Sequence, residues 1–566
     1  MSDTPTPVRN WKIAEQLPAE IDAELRAYPA IVRQLLYNRG CLTASEAEQY
    51  LSCNGPIYDP FLLTDMDQAV ERIWHSIQAE EPIAIYGDYD VDGVTATALL
   101  TQVLRSFGAK VEAYIPNRFE EGYGLNNEAL DSLAQNGTRL IITVDCGIRS
   151  PVEAEHARAL GMEMIISDHH HPQGDLPRAT AVICQRRPDN TYPDVNLAGV
   201  GLAYKIAQAL LTRHPLPGHS AEEWLDLVAL GTIADIVPLT GENRSLVRAG
   251  LNRLRLGQRV GIRALAQAAG IAIERLTASD VGFSLGPRLN AAGRLESALA
   301  AYALLMANDV QEAGLLAQKL DDQNRQRQTL THNLQKTAEE LIAADPGEGS
   351  LVFVAHPDFS SGVVGLVAAR LVETYYRPAI VGQIGNTSTR ASCRSISEFH
   401  ITDALDQCAD LMERHGGHSM AAGFTIRNEN LPELRRRLNA IAHEKLGGLE
   451  LRPTLRADME IPLSALQPGL LLPYLDRLQP TGMSNPDAVF ISRRLHVTQA
   501  RAIGKDQTHL RLIVTDGNIY YDAIAFRMGA WATQIPERVD LLYTFERNNY
   551  QGREGLQLVV RDLKPA

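Results

Sequence analysis

Short apolar strands that alternate with helix-length segments run from residue 81 to about 185, and they constrain the fold more than any other feature. The strand candidates are PIAIYG (82–87), VEAYIP (111–116), RLIITVDCG (139–147), MEMIISDHH (162–170) and TAVICQ (180–185). The segments between them, such as 95–107 and 127–134, space their apolar residues by three and four, as amphipathic helices do. Strands that are apolar on both faces and separated by helices predict a doubly wound parallel sheet.

The rest of the 566-residue chain predicts further parts around this sheet. Helical patterns fill most of residues 198–345, and Val310 to Ala344 reads as one long charged helix that ends at DPGEGS. A second α/β unit follows, with a helix expected around 401–415, and short strands after residue 451 predict a small barrel. The predicted boundaries are an N-terminal helical segment (1–80), the parallel-sheet domain (81–260), a helical connector (261–346), a second α/β domain (347–450) and a C-terminal barrel (451–566).

Composition excludes several classes of protein. No apolar run approaches the roughly 20 residues of a membrane span, and the polar N-terminus lacks the apolar core of a signal peptide, so we expect a cytoplasmic protein. The six cysteines form no CxxC pair, which argues against a zinc knuckle or a disulfide framework and predicts reduced, mostly buried thiols. The net charge of −14 argues only weakly against nucleic acid, because metal-binding carboxylates add to the negative count.

Three carboxylates follow the first strand at every second position: Asp88, Asp90 and Asp92. In a doubly wound sheet they lie at the carboxyl edge, where α/β proteins place their sites. Like charges this close repel, and a divalent cation is the usual compensation. The alternative is a solvated acidic turn.

Three other segments carry similar groups. Asp145 ends the third strand, the run Asp168–His171 ends the fourth, and Asp235 lies in the apolar stretch GTIADIVPL. Taken singly, Asp145 could cap a helix, the histidines could lie in an exposed loop, and Asp235 could cap a turn. Taken together, carboxylates and imidazoles without thiolates suit Mn²⁺, Mg²⁺ or Zn²⁺. They exceed the needs of one cation and predict the two-metal arrangement of phosphoester hydrolysis, bridged by Asp145 or Asp92.

At this point the chain resembles a known family. The motifs GDYDVDG (87–93), VDCG (144–147), SDHH (167–170) and ADIVPL (234–239), in this order, resemble those of the DHH phosphoesterase family. Six more motifs resemble its branch of single-strand-specific 5′→3′ exonucleases: NRFEEGYGLN (117–126), LAGVGLAYK (197–205), LGPRLNAAGRL (285–295), CRSI (393–396), GGHSMAAG (416–423) and LQPTGMSNP (478–486). The resemblance covers roughly residues 30–566. It implies a DHH domain, a DHHA1 domain in the second α/β unit and an OB-fold barrel.

The resemblance also implies roles for individual residues. The implied metal ligands are Asp88, Asp90, Asp92, Asp145, His169 and Asp235, of which Asp88 is the least secure. The implied catalytic residues are Asp92, Asp145, His169 and His170, and His170 contacts either a metal or the scissile phosphate. The implied substrate-binding residues are Arg118, Arg288, Arg294, Arg394, Ser395 and His418. For Arg288 and Arg294 a surface ion pair is the alternative.

The function implied by the resemblance is an exonuclease that uses two Mn²⁺ or Mg²⁺ ions to degrade single-stranded DNA from its 5′ end to 5′-mononucleotides. Recombination and repair, beside a single-strand binding protein and a RecQ-type helicase, are the implied roles. A DHH phosphodiesterase of short oligonucleotides or cyclic dinucleotides is the alternative, and a non-catalytic scaffold is a further rival. Two departures, Phe359-Ser360-Ser361 for a Trp-His pair and Ala391-Ser392-Cys393 for Gly-Ser-Gly, fall in the predicted DHHA1 domain.

Overall fold

The computed structural model describes residues 9–118, 120–345, 349–550 and 553–566. The chain divides into two compact units. The smaller unit comprises Met1–Lys12 and Asn324–Arg456, and the larger unit comprises Ile13–Gln323 and Ala457–Ala566.

The N-terminal segment is mainly helical, as predicted. Its elements are β1 (Asn10–Ile13), α1 (Ala19–Glu24), α2 (Ala30–Tyr37) and α3 (Ala44–Ser52). Helix α3 begins at a capping box, in which the Thr43 side chain accepts from Glu46 N–H and the Glu46 carboxylate accepts from Thr43 N–H. Helices α2 and α3 pack their apolar faces into the same core as the C-terminal barrel.

The predicted parallel sheet is confirmed. Its part of the chain contains α4 (Met66–Gln78), β2 (Ile83–Gly87), α5 (Val91–Ser106), β3 (Val111–Tyr114), α6 (Asn127–Gln135), β4 (Leu140–Val144), α7 (Pro151–Ala159), β5 (Glu163–Ser167) and β6 (Ala181–Ile183). The strand order is β3-β2-β4-β5-β6, and every neighbouring pair is parallel. Because β2 and β4 are buried along their whole length, both faces of the sheet are covered, and the carboxyl ends of the strands share one edge.

Helices follow the sheet, as the sequence indicated. They are α8 (Gly199–Arg213), α9 (Leu225–Ala234), α10 (Gly241–Arg255), α11 (Val260–Ala268), α12 (Ala278–Asp280), α13 (Gly286–Leu295), α14 (Leu299–Met306) and α15 (Val310–Ala344), with a π-helical turn at Val281–Leu285. Helix α5 packs against both α8 and α9. The long helix predicted from Val310 to Ala344 is confirmed; of the DPGEGS segment after it, residues 346–348 lie outside the described residues.

The smaller unit is the second α/β fold. It contains β7 (Val352–His356), α16 (Val364–Tyr375), β8 (Ala379–Ile384), β9 (Ser388–Arg394), α17 (Ile401–Asp406), β10 (Met412–His418), β11 (Ala421–Arg427) and α18 (Leu431–Leu446). The strand order is β10-β11-β9-β8-β7, with only β7 and β8 parallel. The helix expected around 401–415 is wrong after Asp406, because Met412–His418 pairs with β11 as an antiparallel strand.

The C-terminal barrel is also confirmed. Strand β12 (Thr454–Ala457) precedes it and pairs with β1 in a separate two-stranded sheet. The elements of the barrel part are β13 (Met459–Glu460), α19 (Pro468–Leu478), β14 (Phe490–Ile503), β15 (His509–Thr515), β16 (Tyr520–Ala525), β17 (Arg538–Tyr550) and β18 (Arg553–Pro565). The strands follow each other as β14-β15-β16-β18-β17, and β17 pairs back with β14, which closes the barrel. The sequence pattern did not indicate α19 or β18.

The thiols are reduced and mostly buried, as predicted: all six cysteines are free and only Cys53 is partly exposed. Within the described residues, none of the helices combines the length and hydropathy needed to cross a lipid bilayer.

Candidate metal centre

The seven residues proposed as metal ligands or catalytic groups lie together in the larger unit. Ligand atoms within 4.8 Å of one another form three groups: Asp88, Asp90 and Asp145; Asp92, His169 and Asp235; and Asp145, His169 and His170. Asp145 and His169 each belong to two groups. Of the two bridging candidates that the sequence left open, the geometry therefore favours Asp145.

The turn after β2 positions the first three carboxylates. Asp90 caps α5, since its Oδ1 accepts from the backbone N–H groups of Asp92 at 2.9 Å and Gly93 at 3.1 Å. Asp92 lies in the first turn of α5, and its side chain is buried. A Cβ on Gly93 would lie 2.6 Å from the backbone nitrogen of Asp88, so only glycine allows the helix to begin so close to the strand end.

The Asp92 side chain, which extends from α5, is held by the beginning of α8. Its first two N–H groups donate to the carboxylate, from Gly199 to Oδ2 at 2.6 Å and from Val200 to Oδ1 at 2.8 Å. A Cβ on Gly199 would lie 2.7 Å from the Cβ of Asp145, so a glycine is required where the helix start meets both carboxylates. Local sequence patterns assign no role to Gly199 and Val200. The signal that could have indicated one is the GVG triplet that begins a helix in the LAGVGLAYK motif.

His169 lies at the centre of the cluster. Its Nε2 is 3.1 Å from Asp145 Oδ1, 3.6 Å from Asp235 Oδ2 and 3.9 Å from Asp92 Oδ2. Burial, and then the neighbouring His170, lowers the pKa of His169 to about 3, which keeps the imidazole neutral and able to donate a lone pair to a metal.

His170 is oriented by Asp168, a member of the predicted constellation to which the sequence analysis assigns no role of its own. Asp168 Oδ1 lies 2.7 Å from His170 Nδ1, and the Asp168 side chain also accepts from the backbone N–H groups of His170 and Ile148, each at 3.0 Å. Burial alone would raise the pKa of Asp168 and lower that of His170. Their pairing outweighs burial, so the pKa of Asp168 lies below its ordinary value and the pKa of His170 lies above its ordinary value. Asp168 therefore fixes the ring and leaves Nε2 to face the site.

Without a cation, the carboxylates of the cluster hold protons more tightly than ordinary carboxylates do. Burial, and then repulsion from neighbouring carboxylates, raises the pKa of Asp92 to about 7 and that of Asp235 to about 9. The same causes raise the pKa values of Asp88 and Asp145 well above their ordinary range. A divalent cation reverses this effect, since its charge favours the ionised form of each ligand.

Several buried polar atoms of the cluster have no hydrogen-bond partner among the described residues. They are Asp88 Oδ1, Asp145 Oδ1, Asp235 Oδ2 and both ring nitrogens of His169. Buried polar atoms without partners are costly, and metal coordination satisfies them. Because the donors are oxygens and imidazole nitrogens, the residues present fit Mn²⁺ or Mg²⁺.

Three of the proposed substrate-binding arginines also lie in the larger unit. The Arg118 guanidinium lies 5.0 Å from the ring centroid of Tyr89. In the sequence, Tyr89 stands between Asp88 and Asp90. Arg294 is the penultimate residue of α13, and a Cβ on the preceding Gly293 would lie 2.8 Å from the Tyr89 carbonyl oxygen. Arg288 donates to Asp321 Oδ1 at 2.9 Å, so it does form an ion pair, although this pair is largely buried and not at the surface as the alternative had it.

The other three proposed substrate-binding residues lie in the smaller unit. In the register of its sheet, Ala421 is paired with His418 on one side and with Arg394 on the other, which brings the last two residues to neighbouring strand ends. Ser395 follows Arg394, but it is buried, and its hydroxyl donates to the Phe399 carbonyl at 2.6 Å. Of the three, Ser395 is therefore the least suited to contact a ligand.

The two departures from the family pattern are only partly buried in the smaller unit. Phe359 is buried and packs with Val363 and Val364. Cys393 is buried in β9 and packs with the apolar residues on the other face of the sheet. Phe359 and Cys393 therefore fill space in the core, whereas the side chains of Ser360, Ser361 and Ser392 are partly exposed.

Models of three domains match the chain: the DHH family N-terminal domain at residues 82–232, the DHHA1 domain at residues 348–444 and the RecJ OB domain at residues 457–562. Among curated proteins, the chain is 38% identical over 537 residues to the single-stranded-DNA-specific exonuclease RecJ of Bacillus subtilis, covering 94% of this chain and 67% of that protein. It is 36% identical to the protein of the same name from Escherichia coli, covering 97% of each.

A solved structure matches the whole chain. It is the crystal structure of RecJ in complex with Mn²⁺ from Thermus thermophilus, with a TM-score of 0.84 and 28% sequence identity, covering 100% of this chain and 80% of that one. The likeness therefore extends over all the parts of the fold described above.

Proposed function

The chain belongs to the RecJ family of single-stranded-DNA-specific exonucleases, and from this premise we propose that it hydrolyses single-stranded DNA from the 5′ end and releases 5′-mononucleotides. The observation that carries the proposal is the cluster of buried carboxylate and imidazole atoms without hydrogen-bond partners, at the carboxyl edge of the parallel sheet. It is the donor set that a pair of Mn²⁺ or Mg²⁺ ions requires.

In this proposal two ions would be held by Asp88, Asp90, Asp92, Asp145, His169 and Asp235. Bound ions would supply a hydroxide nucleophile at neutral pH and neutralise charge on the leaving oxygen. The first turn of α8 keeps the Asp92 carboxylate in place through its two backbone N–H groups. His170, whose pKa is raised by Asp168, is suited to donate a hydrogen bond to the scissile phosphate.

The polarity of degradation requires recognition of a terminal phosphate. We assign this role to Arg394 and His418, which lie at neighbouring strand ends of the smaller unit, and we separately propose that Arg118 of the larger unit contacts a phosphate of the strand. Guanidinium groups bind phosphate through paired hydrogen bonds, and a 5′ phosphate offers more acceptor oxygens than an internal one. Ser395 contributes less, because its hydroxyl already donates to Phe399.

The barrel formed by residues 457–562 matches the RecJ OB domain, and domains of this kind bind single strands through basic grooves and stacking platforms. We assign it the part of the strand that follows the scissile bond. The remaining assignments rest on family membership: a cytoplasmic enzyme of recombination and repair that acts beside a single-strand binding protein and a RecQ-type helicase. The partner assignment is tested by measuring whether the purified chain binds each of these two proteins in a pull-down experiment, with and without DNA.

One experiment separates the exonuclease from the alternative DHH phosphodiesterase. The protein is incubated with a 5′-labelled single strand, the same strand in a duplex, and a cyclic dinucleotide, each with Mn²⁺ and with EDTA. We expect labelled mononucleotide from the single strand alone, and only with Mn²⁺. An intact single strand with Mn²⁺ would reject the proposal, and hydrolysis of the cyclic dinucleotide alone would favour the alternative.

A further inference from the structure

Ile236, the residue after Asp235, has a backbone conformation that its side chain does not favour. Helix α9 ends at Ala234, and Ile236 has a φ of +60° in the position after the C-cap, where helices usually carry glycine. A positive φ is a rare outlier for a β-branched residue. Burial does not compensate for it, since 64% of the Ile236 surface is exposed. Such an outlier beside a functional group points to a role in function.

Two other exposed apolar side chains belong to segments that contact the same end of α9. Phe283, 84% exposed, lies in the π-helical turn Val281–Leu285. The residues around it pack on α9: a Cβ on Gly282 would lie 3.6 Å from Ile233, and one on Gly286 would lie 3.4 Å from Ala234. π-Helical turns are rare and are frequent at functional sites.

Met483 approaches from the C-terminal part of the larger unit. Its carbonyl accepts from Leu239 N–H at 2.8 Å, three residues beyond Ile236, and its side chain is about half exposed. Ile236, Phe283 and Met483 therefore arise from three separate segments that meet around residues 233–239. Isolated exposed apolar residues are common on protein surfaces, but these three lie on segments that meet next to a proposed metal ligand.

Exposed apolar side chains on segments beside the proposed metal site suit contact with one part of a single strand, its bases. Unpaired bases offer flat apolar faces that side chains can contact in any sequence, whereas the bases of a duplex are stacked on one another. We propose that Ile236 and Phe283 contact the bases of the strand next to the scissile phosphate, so that productive binding depends on unpaired bases. This inference rests on the proposed exonuclease function, and it identifies side chains that would make the enzyme specific for single strands.

The test removes the side chain, the bases, or both, and compares the effects on the kinetic constants. KM and kcat are measured with Mn²⁺ for a 5′-phosphorylated single strand and for the same strand with abasic residues at its first four positions. For the unmodified protein we expect KM to be about 5-fold or more higher on the abasic strand, the lower end of the range for a base–side-chain contact. Ile236→Asn and Phe283→Ala should raise KM on the normal strand by a similar factor, with a smaller effect on kcat, and lose the difference between the two strands.

Asparagine is chosen because it tolerates a positive φ, so the thermal midpoint of Ile236→Asn should stay the same or rise. A merely structural role for Ile236 predicts no change in KM. Ile236→Val keeps an apolar side chain and should still show a higher KM on the abasic strand than on the normal strand. Leu256→Ala, at a residue of equal exposure (63%) that lies after α10, is the matched control and should leave both constants unchanged.

The outcomes separate the two claims. If the unmodified protein does not degrade the normal strand, the proposed function itself fails. If it degrades both strands with the same KM, or if the variants lose activity on both strands equally, the function stands and the base contact is rejected. A change in the Mn²⁺ concentration at half-maximal rate in Ile236→Asn would also reject it, because the effect would then come from Asp235.

Discussion

Asp145 shows how one residue connects backbone strain to chemistry. It follows the fully buried strand β4 and has a φ of +62°, a conformation in which an aspartate is tolerated better than most residues. This turn directs the carboxylate back across the end of the sheet, into contact distance of His169 and of the carboxylates that follow β2. A residue held in this way can share two cations, which explains its presence in two of the three ligand groups.

Replacing Asp145 with asparagine therefore tests the bridging role. Asn keeps the size of the side chain and tolerates the positive φ, but it lacks the charge that two cations need. We expect hydrolysis of a single strand to fall by about 10²-fold or more, with strand binding largely kept. Hydrolysis is measured by mononucleotide release, and binding by fluorescence anisotropy in EDTA. The exposed Asp175, changed to Asn, is the matched control; full activity of Asp145→Asn would contradict the metal assignment.

Helix α10 illustrates how one element connects distant parts of the chain. Arg244, in its first turn, is buried and donates to four carbonyl oxygens, those of Tyr50, Arg477, Leu478 and Pro480, at 2.8–3.2 Å. Its guanidinium also lies 4.0 Å from the ring centroid of Tyr50. A single side chain thus joins α10 to the end of α3 and to the segment that leaves α19. These contacts fix the catalytic part of the larger unit against the N-terminal helices and the start of the barrel.

Arg244→Met tests this connection. Methionine fills most of the space but removes a donor from four carbonyl oxygens, of which those of Tyr50, Leu478 and Pro480 keep one other donor each, so the free energy of unfolding should fall by about 1–3 kcal/mol. The measurement is urea unfolding followed by circular dichroism. Arg158→Met is the control, since Arg158 is exposed and pairs with the exposed Glu155, and it should unfold at the unchanged midpoint. Equal midpoints for the two variants would show that Arg244 is dispensable for the connection.

At the scale of the whole molecule, the sequence predicts those elements and site residues that depend on neighbouring residues in the chain. Apolar runs predicted the strands of the parallel sheet, and the residues at their ends predicted which groups meet at its edge. The contact between Asp92 and the first N–H groups of α8 was beyond such reasoning, because it joins residues 107 positions apart and depends on how α8 packs against α5. The strand Met412–His418 was missed for the same reason, since its pairing with β11 outweighs its local helical pattern.

The charge of the metal centre should also affect the stability of the whole larger unit. In the metal-free protein, Asp92 and Asp235 have pKa values of about 7 and about 9, against an ordinary value of about 3.9. Between these values the folded state binds protons that the unfolded chain has lost, so stability falls as the pH rises. His169, with a pKa of about 3, has the opposite effect, but only below its ordinary value of about 6.5.

Above pH 7 the effect of His169 is over, whereas the carboxylates and His170, whose pKa is also raised, both lower the stability as the pH rises, so the thermal midpoint of the protein in EDTA should fall between pH 7 and 8.5. Saturating Mg²⁺ or Mn²⁺ should reduce or abolish the fall, because the cations stabilise the ionised ligands and bind more tightly as protons are lost. Calorimetry at several pH values, with and without the cation, gives both slopes. Asp235→Asn removes one of the titrating groups, so its slope in EDTA should be smaller than that of the unmodified protein. Parallel slopes with and without the cation would mean that these carboxylates do not bind it.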